Sequence, residues 1–128
     1  MKQEKDGIKR YFFDTYAVIE IVSGSSYYAK FIEETPTITV FNLAEIYYSA
    51  INNLDEEKAE EIYKKYSCCV VPINDEVLKD AMKFRKQNKK RSLSYTDCIG
   101  YIYAKKNNLI FLTGDKEFQE LENVEFIK

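Results

Sequence analysis

The chain has 128 residues and a formal net charge of −2, with 45% hydrophobic and 15% aromatic residues. This is the length of one ordinary domain, and the apolar fraction is enough to form a buried core. The slightly acidic balance excludes a general polyanion-binding domain, because such domains usually carry a clear basic excess. No stretch approaches the roughly 18 apolar residues of a membrane span, and the polar N-terminus lacks a signal-peptide core. We therefore expect a cytoplasmic, non-membrane protein with a flexible tail, residues 1–9, and a single domain, residues 10–128.

The chain contains three cysteines and no histidine. Cys68 and Cys69 are adjacent, and Cys98 stands apart, so no disulfide framework is indicated. Zinc sites of the usual Cys/His kind are excluded as well, since no histidine is present. We interpret all three cysteines as buried small apolar residues of a protein in a reducing compartment.

Strand-like and helix-like segments alternate along the chain. Apolar runs bounded by turn residues predict five strands, at residues 11–13, 37–40, 68–72, 109–112 and 124–127. Helical spacing of apolar residues predicts helices between them, from about residue 16 to a break near 24–26, and at about 42–53, 55–66, 74–88 and 94–107. Asp55, Asn74 and Ser94 are the predicted N-caps. This alternation predicts a mostly parallel sheet with helices on both faces.

Two acidic residues stand at predicted strand ends. Asp14 ends the first apolar run, and Asp115 comes shortly after the fourth strand. In open α/β sheets, ligands bind beyond the carboxyl ends of the strands. Each acid taken singly is an ordinary turn or cap residue, but two acids at equivalent strand ends indicate a functional site.

A third acid, Glu45, lies within a predicted helix. Helical spacing places Phe41 and Tyr48 on its side, so Glu45 is not on the most polar face of that helix. The alternative is an ordinary solvated glutamate, and Glu45 alone does not decide between the two.

A fourth acid, Asp97, follows Ser94 by three residues, close to the spacing of a capping box. Asp97 alone is also explained by the helix dipole, which favours an acid in the first turn. Gly100 and Ala104 lie on its side of the helix, and such small residues would let the helix backbone approach the sheet closely.

Four carboxylates in one site would repel one another and raise each other's pKa values. A divalent cation removes that conflict, and oxygen-only donors suit Mg²⁺ or Mn²⁺ rather than zinc or copper. Such an ion lowers the pKa of a bound water, orients a scissile phosphate and neutralises the leaving oxygen. Histidine is then not required for catalysis.

Four short segments carry these acids in order: Phe13-Asp14-Thr15, Asn42-Leu43-Ala44-Glu45, Ser94-Tyr95-Thr96-Asp97 and Leu112-Thr113-Gly114-Asp115-Lys116-Glu117-Phe118. Together they resemble the PIN-domain nucleases and, by the compact size of the chain, the VapC-like toxins of toxin–antitoxin pairs. The resemblance spans roughly residues 10–127 and depends on all four segments rather than on any one.

The resemblance implies an α/β fold, a PIN-like three-layer sandwich with a central, mostly parallel five-stranded sheet and helices on both faces. It also implies a metal-dependent endoribonuclease that hydrolyses RNA phosphodiester bonds with water as the nucleophile. A cognate antitoxin and a homodimer are the protein partners expected from it.

The acidic site carried over from the resemblance consists of Asp14, Glu45, Asp97 and Asp115. Asp14 and Asp97 are expected to be the principal ligands of Mg²⁺ or Mn²⁺, and Asp115 to complete the site directly or through water. Glu45 is expected to bind a second metal ion or to position the attacking water.

Supporting residues and a basic stretch complete the expected site. Thr113 matches a hydroxyl position that supports the acids in the family, and Glu117 matches an additional acid of some relatives. Residues 83–91 are rich in Lys and Arg and contain no acid. The residues expected to contact RNA phosphates there are Lys86, Lys89, Lys90 and Arg91. The alternative is a solvated helix end, where cations suit the dipole.

Rival functions are less well supported by the sequence. Aspartyl-phosphate phosphatases generally need a second Asp two residues after the first, and Tyr16 stands there instead. A receiver-like phosphoacceptor would need paired early acids that are not evident. A PIN-fold RNA-binding or assembly module without catalytic activity remains the alternative, because a fold does not establish a function.

Overall fold

A computed structural model describes residues 9–128 of the chain. The strands in this part are β1 (Tyr11–Phe13), β2 (Ile110–Thr113) and β3 (Val124–Phe126). The α-helices are α1 (Thr15–Val22), α2 (Val40–Asn53), α3 (Glu56–Ser67), α4 (Asp75–Gln87) and α5 (Tyr95–Lys106). Two short 3₁₀ helices span Ser26–Phe31 and Lys116–Phe118. The predicted tail, residues 1–9, lies outside the described residues except for Lys9, which is exposed.

The three strands form one parallel sheet in the order β1-β2-β3. The prediction of five strands is therefore wrong for residues 9–128. The segments predicted as the second and third strands form only isolated parallel bridges, between Phe12 and Thr37 and between Ile38 and Val70. They continue the layer beyond β1 without becoming strands.

Both segments are too short to form a ladder, for local reasons. Thr39 is the N-cap of α2, which begins at Val40, so the predicted second strand becomes a helix after two bridging residues. The predicted third strand begins late, because Cys68 still caps the end of α3. Cys98 is buried as expected, but Cys68 is exposed at this cap, so the expectation of burial is wrong for Cys68. The bridge at Val70 cannot be extended through Pro72, whose nitrogen has no hydrogen to donate to a neighbour.

Helices cover both faces of the sheet, as predicted. Successive side chains of a strand point to opposite faces, and β1 follows this rule. Tyr11 and Phe13 pack with Val18 of α1 in one buried cluster, which also holds residues of α2. Phe12 packs with Ala81 of α4 and residues of α5 in a second cluster. The α/β arrangement of helix, sheet and helix layers is confirmed.

Side-chain caps begin three helices where the sequence predicted them. Asp55, Asn74 and Ser94 accept hydrogen bonds from backbone amides three residues further on. Each cap satisfies an amide that has no partner within the helix. None of the helices in residues 9–128 combines the length and the apolar character that crossing a bilayer requires.

Gly100 lies where α5 packs against β1. A Cβ atom at this position would stand 2.6 Å from Cε1 of Phe12. The ring of Phe12 is fully buried and stacks on Phe111 with centroids 5.7 Å apart, so it cannot easily move aside. The expectation that a small residue permits close approach is confirmed at Gly100, and it brings the start of α5 toward the end of β1.

Candidate active site

Asp14 lies at the carboxyl end of β1 and is also the N-cap of α1. Its side chain is buried, with 3% of its surface exposed. Oδ1 accepts a hydrogen bond from the amide of Thr15 at 2.9 Å, and Oδ2 accepts one from the hydroxyl of Thr113 at 2.7 Å. Because β1 and β2 are parallel neighbours, their carboxyl ends bring Asp14 and Thr113 together.

Asp115 is connected to Asp14 through Thr113. The amide of Asp115 donates to the Thr113 hydroxyl at 3.0 Å, and Oδ1 of Asp115 accepts from the amide of Glu117, also at 3.0 Å. The intervening Gly114 is tightly enclosed, since a Cβ there would lie 2.6 Å from the carbonyl oxygen of Ile127. The turn after β2 therefore has little freedom, and Asp115 is held in place.

Asp97 opens α5 and has a structural role on one of its two oxygens. Oδ2 accepts a hydrogen bond from the amide of Ser94 at 2.9 Å, and the hydroxyl of Ser94 accepts one from the amide of Asp97 at 3.0 Å. This is the capping box that the sequence indicated. The cap and the candidate site use the same residue, so the two interpretations of Asp97 are compatible.

Glu45 is exposed on α2, and its orientation comes from a hydrogen-bonded chain. Asn42, which is 1% exposed, donates through Nδ2 to the hydroxyl of Thr15 at 3.0 Å. That hydroxyl in turn donates to Oε1 of Glu45 at 2.6 Å. Thr39 holds the other end of the Asn42 amide by donating to its Oδ1 at 2.8 Å.

Thr15 and Asn42 had no assigned role in the sequence analysis. Both stand in segments that carry the family resemblance, next to Asp14 and three residues before Glu45 respectively. Their place in those segments is the signal that could have identified them. Their hydrogen bond depends on α1 packing against α2, which residue spacing does not reveal.

The charges of neighbouring acids act on Asp14 and Asp97. Burial is the main reason that the pKa of Asp14 is raised to about 8, and the charges of Asp97 and Asp115 raise it further. Hydrogen bonds from Thr113 and the Thr15 amide act in the opposite direction. Burial also raises the pKa of Asp97, helped by the charges of Asp115 and Glu45. The acids thus form one electrostatic group at the carboxyl end of the sheet.

The donor set fits a hard divalent cation. All four groups are carboxylates, and none forms an ion pair with a Lys or Arg of residues 9–128. Within the same residues, however, no three Asp, Glu, Cys or His side chains stand close enough to share one ion. The arrangement is therefore a group of neighbouring carboxylates, each held by a protein donor, rather than a formed metal cage.

The other predicted site residues are Glu117 and the basic residues of the 83–91 stretch, and not all of them lie at the site. Glu117 contacts the site through its backbone, because its amide donates to Asp115 and its carbonyl accepts from Nη1 of Arg91 at 2.7 Å. Lys86, Lys89 and Arg91 line a common pocket. Lys90 is exposed and does not line that pocket.

Comparisons with known proteins agree with this geometry. No curated protein sequence matches the chain. Five chains of solved structures match it. One is from a toxin–antitoxin complex from Klebsiella pneumoniae, with 19% identity, a TM-score of 0.70, and coverage of 90% of this chain and 95% of that chain. Another is VapC20 of Mycobacterium tuberculosis, a toxin that cleaves the sarcin–ricin loop, with 15% identity, a TM-score of 0.73, and coverage of 92% and 99%.

These structural likenesses, at such low identity, establish the fold. The sequence itself matches the family described as PIN domain over residues 11–124. That match includes all four acids and the elements that carry them. The chain therefore belongs to the PIN-domain family.

Proposed function

We propose that this chain is an endoribonuclease that hydrolyses RNA phosphodiester bonds as the toxin of a toxin–antitoxin pair. The observation that carries the proposal is the buried carboxylate of Asp14, held by Thr113 and influenced by Asp97 and Asp115. Carboxyl groups whose pKa is strongly raised by burial and by neighbouring acids are often found at functional sites. Membership of the PIN-domain family and the likeness to two structures from toxin systems support this activity.

The proposed mechanism divides the work among the four acids. Asp14, Asp97 and Asp115 would hold Mg²⁺ or Mn²⁺ once side-chain movements bring their oxygens within reach of one ion, which would supply an activated water and charge neutralisation at the phosphate. Thr113 keeps Asp14 and Asp115 in a fixed relation. Glu45 has Oε1 occupied by the Thr15 hydroxyl, which leaves Oε2 to orient the attacking water and accept its proton.

The proposal is tested by incubating the protein with total RNA in Mn²⁺ or EDTA and sequencing the cut ends. Wild type should cleave only with metal, and Asp14→Asn and Asp97→Asn should lose cleavage while keeping the wild-type circular dichroism spectrum. Asp75→Asn is the matched control, since Asp75 is exposed in the first turn of α4. Absence of cleavage by folded wild type, or full activity of Asp14→Asn, would contradict the proposal and favour a binding or assembly module.

The protein partners form a second part of the proposal. We infer a cognate antitoxin and a homodimer, and an exposed apolar surface supports such contacts. Tyr48, Ile51 and Val40 of α2 are 67%, 46% and 55% exposed, and Tyr63 of α3 is 43% exposed. Clustered exposed apolar residues often mark protein interfaces. Light scattering of the purified chain tests the homodimer, and a monomer at micromolar concentration would exclude a stable one.

A further inference from the structure

A basic pocket of about 350 Å³ lies between the end of α4 and the start of α5. The charged and aromatic side chains that line it are Arg85, Lys86, Lys89, Arg91 and Tyr95. None of the four cations pairs with a carboxylate within residues 9–128. In a chain with a net charge of −2, this is a local concentration of unneutralised positive charge suited to an anion.

Two guanidinium groups at the pocket are held in place by the backbone. Nε of Arg85 donates to the carbonyl oxygen of Leu93 at 2.9 Å, and Nη1 of Arg91 donates to that of Glu117 at 2.7 Å. Each bond uses one edge of a guanidinium and leaves other N–H donors free. Arg is well suited to phosphate because its donors form a rigid fork. The pocket is therefore arranged for an anion before any ligand arrives.

Tyr95 adds an aromatic surface beside these cations. The residue is 62% exposed, and Cζ of Arg85 lies 4.4 Å from the centre of its ring. An exposed aromatic residue next to phosphate-binding cations is the usual combination for unpaired nucleotides, whose bases stack on such rings. A base within a duplex is not available for this contact, so the combination favours a single strand.

Two residues of the pocket, Tyr95 and Arg91, connect it with the candidate acidic site. Tyr95 is two residues before Asp97 in the first turn of α5. Arg91 bonds to Glu117, whose amide is bonded to Asp115. A strand held in the pocket would therefore continue toward the carboxylates.

We propose that this pocket binds one nucleotide of single-stranded RNA, with its phosphate on Arg85, Arg91 and the two lysines and its base stacked on Tyr95. The inference rests on the proposed function for its substrate class and goes beyond it by assigning a nucleotide subsite. It also changes the set of residues expected to contact RNA. Lys90 lies outside the pocket, whereas Arg85 and Tyr95 line it. By fixing one nucleotide, the pocket determines which phosphodiester bond reaches the acids.

The test measures binding without catalysis. A fluorescein-labelled ten-nucleotide oligouridylate is titrated with the full chain in EDTA, by anisotropy, at several salt concentrations. Lys86→Gln/Lys89→Gln is compared with Lys64→Gln/Lys65→Gln, an equal charge change at exposed positions of α3. Tyr95→Ala is compared with Tyr27→Ala, since Tyr27 is similarly exposed at 64%.

We expect Tyr95→Ala to weaken binding about tenfold, as loss of one stacked base does, and Tyr95→Phe to restore it. The Lys86/Lys89 variant should reduce the slope of log K against log salt by roughly 0.7 for each lost phosphate contact. Binding equal to that of the matched controls would overturn the proposal. So would binding of a polyglutamate peptide by a protein that does not bind the oligouridylate.

A cleavage arm separates this inference from the proposed function. With Mn²⁺, Tyr95→Ala should cut total RNA at altered positions or with a raised KM while keeping the metal requirement. If wild type binds RNA through the pocket but cuts none in Mn²⁺, the proposed nuclease function fails and the subsite stands. If wild type cuts RNA and the pocket variants bind and cut as it does, the subsite fails and the function stands.

Discussion

The hydroxyl of Thr113 donates a 2.7 Å hydrogen bond to Oδ2 of Asp14, a residue 99 positions earlier in the chain. The same hydroxyl accepts a 3.0 Å hydrogen bond from the amide of Asp115. Thr113 is fully buried, so water cannot replace it in either contact. One side chain at the end of β2 thus fixes two of the four acids relative to each other.

Replacing Thr113 by Val should damage both stability and activity. The variant has nearly the same shape but leaves Oδ2 of Asp14 and the Asp115 amide without their partner, which costs about 1–3 kcal/mol of unfolding free energy. RNA cleavage should fall roughly 10- to 100-fold, as for loss of a group that orients a metal ligand. Urea denaturation and initial cleavage rates measure the two effects. Thr113→Ser should restore most of both, and a Val variant equal to wild type would contradict this role.

The stability of the metal-free protein should fall as the pH rises from about 4 to about 8. The pKa of Asp14 is 3.8 in an unperturbed side chain and about 8 in the folded protein. Between these values the folded state holds a proton that the unfolded state has released, so raising the pH favours unfolding. Each pKa unit of this difference corresponds to about 1.4 kcal/mol. Thermal melts in EDTA should show the decline, and Asp14→Asn should flatten it. An unchanged slope in that variant would rule out Asp14 as the cause.

Mn²⁺ should stabilise the protein against heat at pH 7.5. A ligand that binds only the folded state contributes about 2.7 kcal/mol at a concentration 100 times its Kd. Asp14→Asn and Asp97→Asn should lose this stabilisation, whereas Asp75→Asn should keep it. Differential scanning fluorimetry across a Mn²⁺ series measures the shift. Equal shifts in all variants would place the metal elsewhere.

Thr15→Val should lower cleavage, and it should also cost about 1–3 kcal/mol of unfolding free energy, because the buried Asn42 amide loses its acceptor. The change removes the hydroxyl that donates a hydrogen bond to Oε1 of Glu45 and accepts one from Nδ2 of Asn42. We expect kcat to fall about tenfold, in line with losses at residues that orient an active group, while KM changes little. Thr15→Ser keeps a hydroxyl and should recover the rate. A rate unaffected by Thr15→Val would remove the hydrogen-bonded chain from the mechanism.

Gly100→Ala should destabilise the protein even though alanine favours helices. The new Cβ would stand 2.6 Å from the buried ring of Phe12. The cost of overpacking exceeds the gain in helix propensity, and we expect a net loss of about 1–2 kcal/mol. Urea denaturation measures it. A smaller side chain at position 12 should relieve the clash. Phe12→Leu should therefore lower the unfolding free energy less in the Gly100→Ala background than in the wild type. Additive effects would show that the contact is not responsible.

Local features of the fold were the most predictable from the sequence. The caps at Asp55, Asn74 and Ser94 involve residues three positions apart, so the sequence alone contains the interaction. The number of strands was not predictable in this way. Whether Ile38 and Val70 extend into a ladder depends on neighbours distant in sequence and on the helix that starts at Val40.

The candidate site shows the same division. Asp14 and Asp115 could be located because strand ends are visible in the sequence as the ends of apolar runs. The link from Asn42 through Thr15 to Glu45 could not, since it joins residues 27 and 30 positions apart on two packed helices. The basic stretch indicated a charged region. Which of its residues line the pocket depends on the path of the chain between α4 and α5, which places Arg85 at the pocket and Lys90 outside it.

The pairing of β1 with β2 has a consequence for synthesis of the protein. Tyr11 lies opposite Ile110, so the first strand pairs with β2 only when most of the chain has been synthesised. Contacts so distant in sequence form late and slowly. Any product truncated before residue 110 would have Asp14 but neither Thr113 nor Asp115. Under the proposed nuclease function, unfinished copies would therefore lack a complete acidic site and would not cleave RNA.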